Sequence, residues 1–467
     1  MKKTTKTEVF QVKRMRFPKA ASDPTMQWSR RGFLRLTGAG MVAMAGTAVT
    51  GWPTAWAADP TRDPELLPGD AAHAWLREVY NVVWGANDST PTNAARIYCY
   101  FSIAMYESVA SASSSLRSLV GQLTGLRPLP QTPPGRTDAS CVMAGAAREV
   151  TDHLFRSSNP EGDRLAGLFL DQIYLRRAAG VPASVVSASL DHGVHLGRAL
   201  VAWIAADGYA GTLGRTYSPP VGESLWRPSP PNFGTAISPY WAEVRPMVLR
   251  NADEVTPVAH VPYSTSVGSP FWQQANTTYQ TGLALTQFQR ETAMFWRDNP
   301  HTSGLPSGHW MQIARQVCEQ QQLSLARSVE VYARVGVALH DAFLNCWTWK
   351  YRYNLIRPVD YVHLHINPNW MTWVATPAFP EYTSGHSVAS AAAAHVLTNL
   401  FGDLAFTDQN AIPEWGTRQF GSFREAAQQA ATSRLYGGIH YPMAIEAGLN
   451  QGDTIGSLVV DRLQTRR

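Results

Sequence analysis

Apolar residues recur at helical spacing along most of the chain, and strict alternation of apolar and polar residues is nearly absent. Trp75, Val79, Val82 and Val83 form one such stripe, and Ile97, Phe101, Met105 and Val109 another. Steps of three and four residues line one face of an α-helix, whereas a half-buried strand needs a period of two. The pattern predicts an all-α fold. A further helix is predicted from Ala183 to Asp207, stopped by Gly208, with Leu196, Leu200, Trp203 and Ile204 on its buried face. Asp191, His192 and His195 share that helix. Two histidines three apart without a second ligand pair read as a polar helix face, not a metal site.

Residues 209–280 break the pattern. Prolines recur from Pro219 to Pro270, yet Trp226, Tyr240, Trp241, Phe271 and Trp272 lie among them. Such a segment is read as irregular chain packed over a helical core, not as a flexible linker. Helices are predicted to resume near Leu283. One carries Leu285, Phe288, Phe295 and Trp296 and ends at Asp298-Asn299-Pro300; another runs from Leu323 to Trp349 with the stripe Tyr332, Val335, Leu339, Phe343, Cys346 and Trp347. The expected architecture is one all-α domain, residues 58–467, of two helical bundles (58–208 and 281–467) joined by the irregular connection 209–280.

Residues 1–57 differ in kind. Ser29-Arg30-Arg31-Gly32-Phe33-Leu34 precedes a glycine-rich, weakly apolar run and a small-x-small cleavage site at Ala55-Trp56-Ala57. That is the pattern of a twin-arginine export signal, too short and glycine-rich for a membrane span. The segment holds ten of the forty Lys and Arg but two of the thirty-five Asp and Glu, leaving thirty basic against thirty-three acidic groups beyond it. The formal charge of +5 therefore belongs to the signal and gives no support for a nucleic-acid partner. No later stretch approaches a spanning length. The expected product is a soluble protein delivered by the twin-arginine machinery to the periplasm or beyond. Cys99, Cys141, Cys318 and Cys346 are far apart and form no C-x-x-C pair, which argues against a disulfide framework and a zinc site.

Lys350 continues the buried stripe of the helix predicted to end near Trp349. A charge arriving on an apolar face must meet an anion or snorkel out. Arg357 follows after two helical turns, so both cations are predicted to face one way before Pro358 breaks the helix. Downstream, Thr383-Ser384-Gly385-His386 leads into a strong helix former ending at Phe401. At a helix start the free N–H groups and the dipole attract an anion, Ser384 adds a hydroxyl, and Gly385 lets the backbone approach. His386 can exchange a proton near neutral pH. A third block closes a helix starting near Phe420: Arg434 offers a fork to an oxyanion, and His440 a ring nitrogen as ligand or nucleophile. The blocks together read as one tetrahedral-oxyanion site in the C-terminal bundle. Pro306-Ser307-Gly308-His309 spells the middle block a second time. It precedes Lys350 and no correctly spaced S-R-x5-H follows it, so it is set aside.

K-x6-R-P, then S-G-H, then S-R-x5-H resembles the signature shared by vanadium-dependent haloperoxidases and type 2 phosphatidic-acid-phosphatase-like enzymes, including soluble bacterial acid phosphatases. The motif spans residues 350–440. The resemblance implies that Lys350, Arg357, Ser384, Gly385 and Arg434 hold the oxygens of vanadate, that His440 binds vanadium, and that His386 is the acid–base residue. An enzyme of that kind oxidises a halide with hydrogen peroxide to hypohalous acid, the metal acting as Lewis acid; the halide and the organic acceptor are left open. On the phosphatase side the same residues hold phosphate, which competes for the same site; the residue at His440 attacks phosphorus and that at His386 protonates the leaving group. Trp347 and Phe379 match the positions that form an apolar halide pocket in chloroperoxidase-like members, where desolvation raises halide nucleophilicity.

Two departures from the family pattern stand out. Thr383 replaces the usual proline before Ser-Gly-His, and Ala444 occupies the place four after His440 where relatives often have an aspartate. A nucleophilic histidine needs a carboxylate for orientation and basicity. Its absence tilts the expectation toward an exported haloperoxidase over an exported phosphatase. Glu446 is a candidate substitute for that carboxylate, and Asp298 a candidate partner orienting Arg434.

Overall fold

A computed structural model describes residues 63–86, 89–132, 137–155 and 162–467; the export signal expected over residues 1–57 lies outside them. Helices α1 (Asp70–Gly85), α2 (Pro91–Ala110), α3 (Ala139–Leu154), α4 (Gly162–Ala178) and α5 (Ala183–Ala205) precede the irregular connection. After it come α6 (Pro270–Leu283), α7 (Gln287–Phe295), α8 (Leu305–Gln320), α9 (Leu325–Tyr353), α10 (Pro358–His365), α11 (Gly385–Phe401), α12 (Phe423–Tyr436) and α13 (Pro442–Arg462). Between α11 and α12, strands β1 (Phe406–Gln409) and β2 (Thr417–Phe420) pair antiparallel, with Phe406 opposite Phe420 and Asp408 opposite Arg418. Among the described residues no helix is long and apolar enough to cross a membrane.

The chain is helical, as the period predicts, and the differences trace to turn chemistry. Helices resume at Pro270, not near Leu283: Ser269 caps the helix by accepting from Trp272 N–H at 3.3 Å, and Pro270 sits in its first turn, where a missing N–H costs nothing. Helix α9 runs past Trp349 to Tyr353 and stops at Asn354 in the left-handed region (φ 49°). Pro358 consequently does not break that helix; it opens α10. The hairpin has no counterpart in the predicted pattern, its strands being too short for alternation to register.

Helix α9 is buried along almost its whole length and packs against α2, α8, α11 and α13, joining the two groups of helices through one core. Helix α11 lies directly on α13 because Gly448, Gly452 and Gly456 repeat every fourth residue on the facing side. A Cβ at Gly452 would come within 2.1 Å of the Val388 carbonyl oxygen, and one at Gly448 within 2.9 Å of that of Ser384. The backbone contact fixes the start of α11, where the middle sequence block sits.

The irregular connection is packed over this core: Trp226 and Trp241 are buried. Its backbone binds the corner after α9, with Trp226 N–H donating to Asn354 O at 2.7 Å and Ile356 N–H to Ser224 O at 2.9 Å. Asp341, buried within α9, gathers the N–H groups of Met247 (2.7 Å), Val248 (2.9 Å) and Leu249 (3.0 Å) onto its carboxylate. Each buried N–H left without an acceptor costs about 1–3 kcal/mol. Asp341→Ala is expected to destabilise the protein by about 3 kcal/mol or more, measured as a lowered thermal midpoint in calorimetry, while Asp341→Asn, which keeps an acceptor oxygen, loses less.

Candidate active site

Lys350, Arg357, Ser384, Gly385, His386, Arg434 and His440 are carried by the end of α9, the start of α10, the start of α11, the end of α12 and the loop before α13. Each chain segment delivers its group for a local reason. Ser384 is the N-cap of α11, its Oγ facing the Ser387 N–H at 3.4 Å, and its own N–H is held by Ala444 O at 3.1 Å. Ser387 Oγ donates to Ser384 Oγ at 2.8 Å, which leaves the Ser384 hydroxyl hydrogen available. A Cβ on Gly385 would stand 3.3 Å from the Trp347 ring, so glycine keeps this wall tight.

Arg357 does not continue the Lys350 face. Asn354 turns the chain, and Arg357 stands in extended conformation as the N-cap of α10. It enters from a second side and still converges on the site. Its Nε donates to Phe379 O (2.8 Å) and its Nη1 to Ile439 O (2.8 Å), while Nη2 is buried with no hydrogen-bond partner. Lys350 is fully buried; its Nζ donates to the carbonyls of Pro380 (3.1 Å), Glu381 (2.9 Å) and Thr383. Arg434 donates from Nε to Ser433 Oγ (2.9 Å) and from Nη2 to Ala293 O (3.2 Å). Burial pulls Lys350 down to about 7 and Arg357 and Arg434 to about 10.

His440 is the best-defined group. Its Nδ1 lies 2.8 Å from Glu381 Oε1, and its Nε2 lies 3.4 Å from Arg357 Nη1. A guanidinium only donates, so Nε2 accepts and Nδ1 carries the hydrogen. Burial first, then the Arg357 and Lys350 charges, hold the ring well below its usual range and keep it neutral. The same Glu381 oxygen accepts the Tyr441 N–H at 2.9 Å, and burial raises Glu381 to about 7.

Glu381 is thus the carboxylate that the sequence reading found missing. Glu446 does not take that place, since it is exposed on α13. No spacing rule points to Glu381: it lies on irregular chain, and its only sequence signal is its position inside the Phe379–Ser387 block. Asp298 also differs from expectation. It does not bond Arg434; its carboxylate faces His309 and, at 3.6 Å, the Nε2 of His386. Burial lowers His386 to about 4, with Arg434 adding to the shift. Trp347 and Phe379 do meet, with ring centroids 4.8 Å apart, and Lys350 Nζ and the Arg357 guanidinium lie 5.1 and 4.8 Å from the Phe379 ring. On α5, His195 bonds the Asp191 carbonyl, and among the described residues no trio of His, Cys, Asp or Glu is arranged for a metal ion.

The family described as VCPO second helical-bundle domain matches residues 330–467, the span holding all the convergent groups. The solved structure of a bacterial vanadium-dependent iodoperoxidase superposes with a TM-score of 0.80 at 33% identity, covering 86% of this chain and 97% of that one. The chain belongs to the vanadium-dependent haloperoxidase family. Two further haloperoxidase structures, the apo and holo forms of a bacterial vanadium-dependent chloroperoxidase, share the fold at 14% and 15% identity. They have TM-scores of 0.62 and 0.60, covering 82% and 89% of this chain and 97% and 96% of theirs. No curated protein sequence matches the chain.

Lys350 and Glu381 give the candidate site a definite expected pH response. Lys350, lowered to about 7, loses charge as pH rises through that value, and Glu381, raised to about 7, gains negative charge over the same interval. Both changes weaken anion binding. Sulfate, which does not titrate there, is expected to bind below pH 7 and to weaken above it by up to about tenfold per pH unit for each of the two groups, as followed by tryptophan fluorescence or calorimetry. Lys350→Met is expected to make that limb shallower, leaving the part that belongs to Glu381.

Proposed function

We propose that the protein is an exported vanadium-dependent haloperoxidase that oxidises halide with hydrogen peroxide to hypohalous acid at a vanadate held by His440. The likeness over 86% of the chain to a vanadium-dependent iodoperoxidase carries this reading, and the His440 arrangement supports it: a neutral ring, its Nδ1 hydrogen given to Glu381, its Nε2 lone pair turned toward a wall of buried cations. A vanadium centre requires a neutral imidazole with one nitrogen free and the other fixed.

The residues present fit a tetrahedral oxyanion. Arg357 Nη2 is a buried donor without a partner, the Ser384 hydroxyl has a hydrogen to give at a helix start, and Lys350 and Arg434 bring two further buried charges. Lys350, Arg357, Ser384, the Gly385 backbone and Arg434 would hold the oxygens, and His440 Nε2 the metal. Bound vanadate would supply a Lewis acid that polarises peroxide. Around it, His386 would accept the proton that peroxide must lose and return one to the departing oxygen, and the rings of Trp347 and Phe379 would keep water from the halide. Glu381 orients His440 and fixes its tautomer. Iodide is the halide to test first, since the relative at 33% identity is an iodoperoxidase.

Ala444 does not weigh against a phosphatase, because Glu381 supplies a carboxylate to the same ring nitrogen that a nucleophilic histidine would need oriented. Family membership is what supports the haloperoxidase reading over phosphate-ester hydrolysis. Purified protein in phosphate-free buffer is expected to oxidise iodide, and to be assayed for bromide and chloride, only with hydrogen peroxide and added orthovanadate. Hydrolysis of a phosphomonoester that vanadate suppresses, with no halide oxidation, would overturn the reading. Glu381→Ala is expected to weaken orthovanadate binding by about 10–100-fold. Export rests on the Arg30-Arg31 segment alone; Arg30→Lys with Arg31→Lys is expected to hold the protein in the cytoplasmic fraction, and unchanged fractionation would refute export by this route.

A further inference from the structure

The second Ser-Gly-His sequence lies beside the first in space. His309 stands in the first turns of α8, buried, its ring stacked on Trp296 with centroids 4.4 Å apart. Its Nδ1 faces both oxygens of Asp298, at 3.0 and 3.2 Å, and its Nε2 faces Asp408 Oδ2 on β1 at 3.0 Å. A carboxylate offers only lone pairs and a neutral imidazole has a single N–H. A ring with a carboxylate at each nitrogen therefore donates from both and is an imidazolium. Burial opposes the charge, but Asp298 and Asp408 outweigh it and raise His309 to about 10.

Asp298 connects this cation to the proposed active site. The carboxylate is bonded closely to His309, while Oδ2 faces His386 Nε2 at 3.6 Å, and that nitrogen is buried with no hydrogen-bond partner. Burial would push Asp298 toward its neutral form; His309 first, with His386 adding to it, more than reverses that. The remaining charged or titratable groups felt by the cluster come from other elements: Arg434 on α12, Arg418 on β2 and the Tyr80 phenol on α1.

We propose that His309 is a positioning residue: pinned by Asp408, it holds Asp298 as a carboxylate facing His386, so that His386 presents its Nε2 hydrogen to Asp298 and keeps Nδ1 as the nitrogen that exchanges protons. The role given to His386 rests on the haloperoxidase reading; the relay Asp408–His309–Asp298–His386 is a property of the chain itself. Because His309 already satisfies the Asp298 charge, Asp298 orients His386 without converting it into a locked ion pair. Without His309, burial would return a proton to Asp298; a neutral carboxyl both donates and accepts, so it would no longer hold His386 in a single tautomer.

The test is nitrogen NMR of the full chain with ring-labelled histidine, free of vanadate, with His386→Asn and His309→Gln used to assign the two rings. Both nitrogens of His309 are expected to be protonated at pH 8, and His386 to be an Nε2–H tautomer. In His309→Gln, His386 is expected to become a tautomer mixture while orthovanadate affinity stays within about threefold and halide turnover falls about 10–100-fold. A neutral His309 at pH 8, or an unchanged His386 tautomer in folded His309→Gln, would overturn the proposal. Should His309→Gln fail to fold, Asp408→Asn, which alters only the far side of His309, is expected to loosen the same tautomer; no change there also counts against it. Wild-type protein that shows the relay by NMR but oxidises no halide would sink the functional reading and leave the relay standing.

Discussion

Lys350, Arg357 and Arg434 are each buried to within 1% of complete exclusion from solvent, and the C-terminal bundle is arranged around tolerating them. A charge taken out of water costs several kcal/mol unless polar groups replace its hydration. Helices have almost no carbonyls to spare, because their own ladders use them. The acceptors here come mostly from irregular chain: Phe379, Pro380, Glu381 and Thr383 ahead of α11, and Ile439 ahead of α13. This accounts for an all-α protein interrupting its helices where function gathers. The loops are the source of the dipoles that stabilise this cluster of buried cations.

The same constraint explains what the sequence disclosed. Features that depend on neighbours a few residues away were legible: the helical stripes, the Ser384 cap, Arg434 in a last turn and the His440 block. Features that depend on the route of the chain were not. Arg357 leaves the Lys350 helix at Asn354, so two residues seven apart meet the site from different directions instead of along one face. Glu381 reaches His440 across a fold that no periodicity encodes. His309 gains its role from Asp298 just ahead of α8 and Asp408 on a two-stranded hairpin. Motif order separates the second Ser-Gly-His from the first and carries no information on the two carboxylates that flank His309.

The tautomer of His440 is fixed twice, by an acceptor at Nδ1 and a donor at Nε2, and the resulting neutral ring serves metal ligation and nucleophilic attack equally. Electrostatics of the anion seat cannot separate vanadate from phosphate, since both are tetrahedral oxyanions of similar charge. What distinguishes the chemistries lies beside the seat, in whether Trp347 and Phe379 receive a small soft anion and whether His386 handles a proton of peroxide or of an alcohol.

The glycines at 448, 452 and 456 bear on how freely this enzyme can change. They let the α13 backbone touch the α11 backbone at the Ser384 and Val388 carbonyls, so the floor beneath Ser384 is largely main chain, whose shape does not vary with side-chain identity. Apolar residues elsewhere can drift in size without tilting the anion seat, while the aromatic wall opposite remains open to exchange. Under the proposed function, a scaffold divided in this way would separate affinity for the oxyanion from choice of the molecule oxidised, and would suit laboratory redesign of the second without loss of the first.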